Sequence, residues 1–326
     1  MRRLTLGRTG LEVTPIGLGL AAVGRPAYIN LGRGRDLPQE RSLEAMRQRA
    51  HDLLDRAYSL GVRYFDVARS YGLAEDFLAS WLRQREPLPE PVVCGSKWGY
   101  TYVGQWRMDV PVHEVKEHSL ATLRRQYRES SALLGSHLQL YQVHSATIES
   151  GVLEKAEVLS ELLRLGAGGI AIGVTVSGPD QSEVVDRALA VRVDGVNPFS
   201  AVQATWNLLE PSAGAALARA HEAGWGVLVK EALANGRLLA AENPQLARLR
   251  DLADAHGVGP DAICLGAALA QPWADVVLSG AATAGQVDGN AAAATTSLTE
   301  AELEQLESMA EPARQYWEQR RALPWS

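Results

Sequence analysis

The fold of this chain is constrained above all by a regular alternation of short apolar runs with longer segments of helical periodicity. Eight apolar runs predict β-strands at residues 16–20, 64–67, 92–96, 138–143, 169–174, 201–205, 226–230 and 276–279. Strands joined through helices run parallel, and their crossovers share one hand. Eight such units in succession therefore predict an α/β fold, the closed (β/α)8 or TIM barrel.

The segments between these runs predict the helices and the additions to the barrel. Helical spacing of apolar residues predicts helices at residues 43–60, 74–85, 112–134, 154–165, 181–190, 212–223, 245–255, 260–270, 284–294 and 300–309. We expect residues 1–326 to form a single barrel domain, with an N-terminal β-hairpin at 1–14 and a C-terminal helical extension at 299–326. Residues 24–41 form a long, glycine- and proline-rich first βα loop, which we interpret as a rim or lid.

Polar residues follow three consecutive predicted strands at the point where each strand ends. Asp66 ends the second strand, with Tyr71 five residues later; Lys97 ends the third, and His144 ends the fourth. The C-terminal ends of barrel strands open onto one face, where active sites of such barrels are built. We therefore expect these four side chains to converge.

The chemistry of these four residues is specific. A phenol, with a pKa around 10, is normally a weak acid, and a neighbouring ammonium lowers that pKa. Asp66 can hold Lys97 charged and oriented, and His144 can hydrogen-bond a substrate oxygen. The set predicts that Tyr71 acts as a general acid toward a carbonyl or as a general base toward an alcohol.

At this point the sequence resembles the aldo-keto reductase superfamily. Residues 65–75, Phe-Asp-Val-Ala-Arg-Ser-Tyr-Gly-Leu-Ala-Glu, resemble the family pattern F-D-T-A-x-x-Y-G-x-S-E, and the resemblance extends from Leu4 to about Asn290. The family's Asp, Tyr, Lys, His tetrad matches Asp66, Tyr71, Lys97 and His144. The resemblance implies an NAD(P)-dependent oxidoreductase that transfers hydride between nicotinamide and an aldehyde, a ketone, a sugar or the corresponding alcohol.

The resemblance also implies cofactor contacts at the ends of the later strands. Thr175 keeps the hydroxyl of the family's Ser-Asn pair, which binds the nicotinamide amide, although Val176 replaces the asparagine. Gln203 matches the family glutamine at the end of strand 6. Lys230 stands where the family has a tyrosine that stacks on the nicotinamide. The loop after strand 8 resembles the family's phosphate loop, and its candidate contacts are Gly280, Thr283, Gln286 and Asn290.

The phosphate loop departs from the family in its charge. Residues 279–290 contain Asp288 but no lysine or arginine, which a 2′-phosphate normally requires. An arginine from elsewhere, such as the segment before Ser42, could supply that charge. We predict weak discrimination, with NADP(H) slightly favoured and NAD(H) usable.

Aromatic residues follow the lysine of the third strand. Trp98, Tyr100 and Trp106 lie in the predicted loop at residues 98–111, and we expect some of them to line the substrate site. The competing interpretation is that they pack beneath the loop as local core. Just beyond them, His113 and His118 resemble a zinc-protease helix, but the spacing is one residue too long, so a solvated helix face is the preferred interpretation.

Composition excludes several other classes of protein. A net charge of −6 without a basic cluster argues against a nucleic-acid partner, and no apolar run reaches the roughly 18 residues of a membrane span. Cys94 and Cys264 lie in apolar runs, as reduced core thiols do, and we expect a cytoplasmic protein without a metal site. The sequence predicts no particular oligomeric state.

Two alternatives to the oxidoreductase stay open. A lyase or aldolase on the same barrel would form a Schiff base on Lys97 or Lys230, although Asp66 beside Lys97 favours a charged lysine. A cofactor-binding regulatory subunit with weak turnover is the second alternative, and no feature specific to a partner supports it.

Overall fold

A computed structural model describes residues 1–37, 40–241, 243 and 246–325 of the chain. The strands are β1 Leu4–Thr5, β2 Glu12–Val13, β3 Ile16–Gly19, β4 Tyr64–Asp66, β5 Val93–Trp98, β6 Tyr100–Tyr102, β7 Glu114–Lys116, β8 Leu138–Ala146, β9 Ala171–Val176, β10 Ala201–Thr205, β11 Gly226–Lys230 and β12 Val276–Ser279. The α-helices are α1 Arg33–Asp36, α2 Leu43–Ser59, α3 Ala74–Arg85, α4 Leu120–Leu134, α5 Ala156–Ala167, α6 Gln181–Ala190, α7 Gly214–Glu222, α8 Leu246–His256, α9 Pro260–Leu269, α10 Ala284–Ala292, α11 Glu300–Glu307 and α12 Ala313–Arg321.

Eight of these strands close a parallel barrel, which confirms the predicted fold class. Around the barrel the order is β3, β4, β5, β8, β9, β10, β11 and β12, so each strand pairs with the next one along the chain. The β3–β12 pairing, in which Ile16 lies opposite Val277, closes the circle. This consecutive order is what eight successive βα units produce.

The apolar side chains form two cores, one inside the barrel and one outside it. The inner core contains Tyr64, Leu140, Leu228 and other strand residues, and Leu6 and Val13 of the N-terminal hairpin pack against them. The predicted hairpin, formed by β1 and β2, thus lies against one end of the barrel interior. The outer core fills the layer between the strands and the surrounding helices.

The structure corrects the prediction of a helix over residues 112–134. The helix begins at Leu120, where the Ser119 hydroxyl caps it by accepting from the Thr122 amide at 3.2 Å. Residues 114–116 instead form β7. This strand pairs antiparallel with β6, which lies in the predicted loop at residues 98–111. The pairing partners are distant in sequence, so local periodicity does not reveal them. His113 and His118 are consequently buried rather than on a solvated helix face.

The long segment at residues 24–41 is held to the barrel mouth by buried Arg33. Its guanidinium donates to the carbonyls of Ala22 and Arg25, both at 2.6 Å, and of Pro26 at 2.9 Å. Parts of the predicted ranges lie outside the described residues, namely residues 38 and 39 of this segment, residue 245 at a predicted helix start and residue 326 at the end of the tail. Within the described ranges, no helix combines the length and the apolar character needed to cross a bilayer.

Candidate active site

The four predicted catalytic side chains converge at the C-terminal mouth of the barrel. Asp66 ends β4, Lys97 lies near the end of β5, and His144 lies near the end of β8. Lys97 donates its Nζ to Asp66 Oδ1 in an ion pair that is almost fully buried, and also to the Val67 carbonyl at 3.1 Å. The ammonium also lies 4.9 Å from the centroid of the Tyr71 ring.

The second oxygen of Asp66 is also occupied. Asp66 Oδ2 accepts hydrogen bonds from the Tyr64 hydroxyl at 3.2 Å and from Gln203 Nε2 at 3.0 Å. A buried charge that is both paired and hydrogen-bonded is held in one geometry. Asp66 therefore fixes Lys97 on one side and the Gln203 amide on the other.

Tyr71 lies beside this pair as a protonated phenol. Burial raises the pKa of Tyr71 well above its usual value, and the charge of Asp66 raises that pKa further. Arg25 acts in the opposite direction without overcoming these effects. The pKa of Tyr71 is thus raised, not lowered as expected from Lys97, and burial is the largest cause. Among the described residues, none hydrogen-bonds the Tyr71 hydroxyl.

His144 is held neutral and is fixed through its neighbours. Burial lowers the pKa of His144 well below its usual value, and the positive charges of Lys97 and Lys230 lower it further. Ser70 Oγ lies 3.3 Å from His144 Nδ1, and His118 Nε2 lies 2.9 Å from the His144 carbonyl oxygen. If the serine hydroxyl donates to Nδ1, the ring proton is on Nε2, which can then donate to a substrate oxygen.

These side chains open into a cavity of about 950 Å³. Asp66, Tyr71 and His144 line it, together with Tyr100. Burial raises the pKa of Tyr100 to about 12, and its ring centroid lies 4.9 Å from that of His144. A molecule bound in this cavity would therefore lie beside both a phenol and an imidazole.

Five of the seven predicted cofactor contacts line the same cavity. They are Gln203, Lys230, Gly280, Gln286 and Asn290. The other two are not part of its lining: the buried Thr175 hydroxyl accepts from the Ser145 amide at 2.7 Å, and the Thr283 hydroxyl caps α10 by accepting from the Gln286 amide at 3.2 Å. Both threonines position cavity residues instead.

The α10 side of the cavity has features that suit an extended polar ligand. Asn290 donates to Ser279 Oγ at 2.7 Å, while its buried Oδ1 has no partner among the described residues. A Cβ at Gly280 would meet no atom within 4 Å, so the backbone there is open to close approach. An orphaned acceptor, an open backbone and the N-terminus of α10 fit the ribose and phosphate groups of a dinucleotide.

Of the three aromatic residues predicted near the substrate, the structure brings only Tyr100 to the cavity. Trp98 is fully buried and lies next to Lys97 on β5. Successive side chains on a strand point to opposite faces, so if Lys97 faces the barrel mouth, Trp98 faces the helix layer. Trp106 donates to the Arg41 carbonyl at 2.8 Å and packs against Phe77, away from the cavity lining.

Sequence reasoning missed a cluster that covers Tyr71 from the other side. Buried Arg25 donates to the Ser70 carbonyl at 2.9 Å and to Glu114 at 2.8 Å, and its guanidinium lies 5.8 Å from the Tyr71 ring centroid. Trp325 lies over Arg25 at 4.8 Å and stacks on His113 at 4.3 Å. The aromatic character of the tail and the long first loop were the available signals, but neither specifies this contact.

Within the part of the chain that the structure describes, no group of three or more His, Cys, Asp or Glu side chains is placed to hold a metal ion.

The chain is similar in sequence to known proteins. A model of the Aldo/keto reductase family matches residues 15–311. The chain is 26% identical over 169 residues to the uncharacterized oxidoreductase YqkF of Bacillus subtilis, covering 51% of this chain and 46% of that protein. It is 29% identical over 160 residues to pyridoxal 4-dehydrogenase of Microbacterium luteolum, covering 43% and 42%. Each match thus spans less than half of the curated relative.

The fold has close counterparts among solved structures. An aldo-keto reductase from Bacillus halodurans, solved in its holo form, superposes with a TM-score of 0.70 over 96% of this chain and 97% of that chain, at 21% identity. A likeness at this identity concerns the fold.

Proposed function

The chain belongs to the aldo/keto reductase family, and from that premise we propose that it is a nicotinamide-dependent oxidoreductase that interconverts small carbonyl compounds and alcohols. Family membership and the oxidoreductase relatives support oxidoreductase chemistry in general. The cofactor, the substrate class and the roles of individual residues are the content of the proposal.

The observation that carries the proposal is the buried Lys97–Asp66 pair beneath the protonated phenol of Tyr71. A bound nicotinamide dinucleotide would supply or accept the hydride. Tyr71 gives its proton to the carbonyl oxygen as the carbon is reduced, and takes it back in the reverse direction. His144 Nε2 donates to the same oxygen and holds the carbonyl toward Tyr71.

The electrostatics favour the reductive direction. A phenol whose pKa is raised by burial and by Asp66 holds its proton in the free enzyme, ready for donation. For alcohol oxidation the phenol must first lose that proton, which requires a higher pH. We therefore expect carbonyl reduction near neutral pH and alcohol oxidation only in alkaline solution.

The cavity supports a small substrate. It has room for a nicotinamide ring and one small carbonyl compound, and Tyr100, Tyr28 and Trp325 supply its aromatic surface. The relative from Microbacterium luteolum is named for the dehydrogenation of pyridoxal. Aromatic and heteroaromatic aldehydes are therefore the first class to test, followed by ketones and sugars.

The experiment is a titration with NADPH and NADH, followed by turnover of a carbonyl panel watched at the nicotinamide absorbance. Binding of a dinucleotide and oxidation of its reduced form by at least one aldehyde are expected. Absence of binding, or binding without turnover of any carbonyl or alcohol, would count against the proposal. Borohydride treatment with substrate but without dinucleotide tests the lyase alternative. No adduct is expected on Lys97, because it is held in an ion pair, and an adduct trapped on Lys230 would support that alternative.

A further inference from the structure

Lys230 is a cation in the wall of the catalytic cavity, and it forms no ion pair among the described residues. It ends β11, and its Nζ donates to two hydroxyls, Thr205 Oγ1 at 2.8 Å and Ser177 Oγ at 3.0 Å. The neighbouring Glu231 directs both carboxylate oxygens to Arg320 of α12, and Oε2 also accepts from Thr205 at 3.2 Å. Hydroxyl groups satisfy the ammonium's donors without cancelling its charge.

Three other buried cations at the catalytic end of the cavity are in ion pairs. Lys97 is paired with Asp66, Arg25 with Glu114, and Arg320 with Glu231. Lys230 has no such pair among the described residues, although the nearby charge of Glu231 partly offsets its field. The charge of Lys230 is one of the causes that lower the pKa of His144, after burial and Lys97.

The place of Lys230 in the barrel brings it close to where a hydride must be transferred. Lys230 pairs with Thr205 of β10, and Gln203 of the same strand contacts Asp66. Under the proposed function, a substrate carbonyl would lie against Tyr71 and His144. A nicotinamide ring bound beside it in this cavity would be near the ends of β10 and β11, and β11 ends in Lys230 rather than in an aromatic residue.

We propose that Lys230 makes this site distinguish the two redox states of the nicotinamide, repelling the oxidised ring and accepting the reduced one. The inference rests on the proposed function. In carbonyl reduction, a hydride leaves C4 of the dihydropyridine for the carbonyl carbon, and Tyr71 transfers its proton to the carbonyl oxygen. The carbonyl is reduced, the ring is oxidised, and the ring becomes a cation that faces the ammonium. Release of the oxidised dinucleotide is thereby favoured.

Two unit charges a few ångströms beyond contact, in a medium of effective dielectric constant ~20, interact strongly enough to change affinity by roughly 10- to 100-fold. The phosphates and riboses are identical in the two redox forms, so their contributions cancel in a comparison of the two affinities. The ratio of the two dissociation constants therefore isolates the charge of the ring.

The first test replaces Lys230 with Met, which keeps the length of the side chain and removes its charge. Dissociation constants of NADPH and NADP⁺ are measured by fluorescence and calorimetry, without substrate. We expect wild type to bind NADPH at least 10-fold more tightly than NADP⁺, and Lys230→Met to reduce that ratio by about 10-fold, mainly through tighter binding of NADP⁺. Lys116→Met is the matched control: Lys116 lies on β7, outside the cavity lining, and the ratio should stay as in wild type.

The second test uses wild type alone and does not depend on the folding of a variant. Burial lowers the pKa of Lys230 to about 8 against the opposing charge of Glu231. Arg320 of α12 and Lys97 of β5 lower that pKa as well, and Asp66 of β4 raises it. Below this pKa the ammonium repels the oxidised ring, and above it the neutral amine does not, so the preference for NADPH should decline between pH 7 and pH 9.5.

The outcomes separate the inference from the function on which it rests. If both dinucleotides bind to wild type with a ratio that Lys230→Met and pH leave unchanged, the inference is wrong and the proposed function stands. A change confined to the KM of anionic substrates would assign Lys230 to the substrate and overturn the inference too. If neither dinucleotide binds to wild type, both proposals fail.

Discussion

The protonation state of Tyr71 depends on opposing effects of its neighbours. The Lys97 ammonium alone would favour the phenolate, yet Asp66 neutralises it, and burial then keeps the phenol protonated. Lys97 and Asp66 thus act as a neutral, rigid support. The phenol is left as the acidic group that faces the cavity.

Replacement of Tyr71 by Phe removes the proton and keeps the ring. We expect carbonyl reduction to fall by about 100-fold or more, because one general acid contributes roughly 100- to 10,000-fold. The dissociation constant of NADPH should change by less than about threefold, since the ring remains. Steady-state turnover and fluorescence titration provide the two readouts.

Tyr58→Phe is the control for this substitution. The Tyr58 hydroxyl bonds the Glu90 backbone on the outer helix layer, donating to the carbonyl at 3.1 Å and accepting from the amide at 2.9 Å. The same chemical change there should leave turnover within about twofold. Near-normal turnover of Tyr71→Phe would remove Tyr71 from the mechanism.

At the scale of residues, the strand-end pattern predicted the location of those side chains whose location follows from their position on a strand. Asp66, Lys97 and His144 could be predicted because parallel strands place their last residues on one face. The location of Trp98 does not follow from its proximity to Lys97 in sequence, because the faces alternate along β5 and Trp98 is fully buried. The direction of the Tyr71 pKa shift could not be predicted, since it depends mainly on how deeply the folded chain buries the phenol.

The C-terminal helix α12 is joined to the barrel through a buried charge pair. Arg320 donates to both oxygens of Glu231, which lies directly after β11. Burial opposes ionisation, but Arg320 and Lys230 together lower the pKa of Glu231 to about 2. A helix at the chain end is thereby tied to the strand that carries Lys230.

A double-mutant cycle with Glu231→Gln and Arg320→Met measures the interaction free energy of this pair through urea unfolding. At pH 7 we expect a coupling of about 1–3 kcal/mol, in the usual range for residues in direct contact within one network. A carboxyl with a depressed folded-state pKa stabilises above the unfolded value of about 4.5 and loses that contribution as pH falls toward 2. The coupling should therefore shrink in acid.

The exposed pair Arg187–Glu183 on α6 is the control for the cycle. Exposed pairs four residues apart on a helix contribute about 0.3–0.5 kcal/mol. A coupling at Glu231 no larger than this would mean that α12 is held by apolar contacts of Tyr316 and Trp317 instead.

The tail beyond α12 closes the cavity over Arg25. Trp325 is about one-third exposed, lies 4.8 Å from the Arg25 guanidinium and lines the cavity. Trp325→Ala should raise KM for a small aldehyde by about three- to tenfold, because roughly 1 kcal/mol of apolar contact is lost. A bulky aromatic aldehyde should lose less, since it fills the vacated space.

Leu323→Ala is the matched change, on the same tail but outside the cavity lining. It should leave the relative KM of the two aldehydes unchanged. Equal effects of both substitutions on both aldehydes would assign the tail to stability and not to substrate selection.

At the scale of elements, the barrel strands were predictable and the β6–β7 hairpin was not. Periodicity identifies a strand whose neighbours follow in chain order, as Gly226–Lys230 and Val276–Ser279 do. The β6–β7 pair depends instead on Tyr100 meeting Lys116 across an irregular connection. That connection also places His113 beneath Trp325, a contact between segments about 200 residues apart.

Over the whole molecule, the cavity has two ends that differ in their charged and polar residues. The catalytic end contains the Lys97–Asp66 pair and Lys230. The other end contains Gln286, which donates to Asp36 at 2.8 Å, and Asn290 with its orphaned oxygen. Three exposed arginines also line the cavity, Arg35 of α1, Arg250 of α8 and Arg321 of α12.

Arg35 and Arg250 are our candidates for the cation that the loop at residues 279–290 lacks, because both line the cavity and Arg35 precedes Asp36, which accepts from Gln286. A charge-assisted pair contributes about 1.5–3 kcal/mol, and solvent exposure reduces that contribution. We therefore expect NADPH to bind more tightly than NADH by only about 3- to 30-fold, with NADH still usable.

Arg35→Met and Arg250→Met separate the two arginines in titrations with both reduced dinucleotides. Replacing the arginine that pairs with the 2′-phosphate should lower the affinity for NADPH at least threefold. The affinity for NADH should stay constant, because NADH has no such phosphate. Arg248→Met is the matched control on α8, since Arg248 donates to Ser308 at 2.7 Å and does not line the cavity. A wild-type ratio above about 1000 would exceed what exposed arginines contribute and would require a buried cation at the phosphate. A ratio near one, unchanged in both variants, would mean that the neutral groups of Gln286 and Asn290 bind the ribose and that the enzyme does not recognise the phosphate.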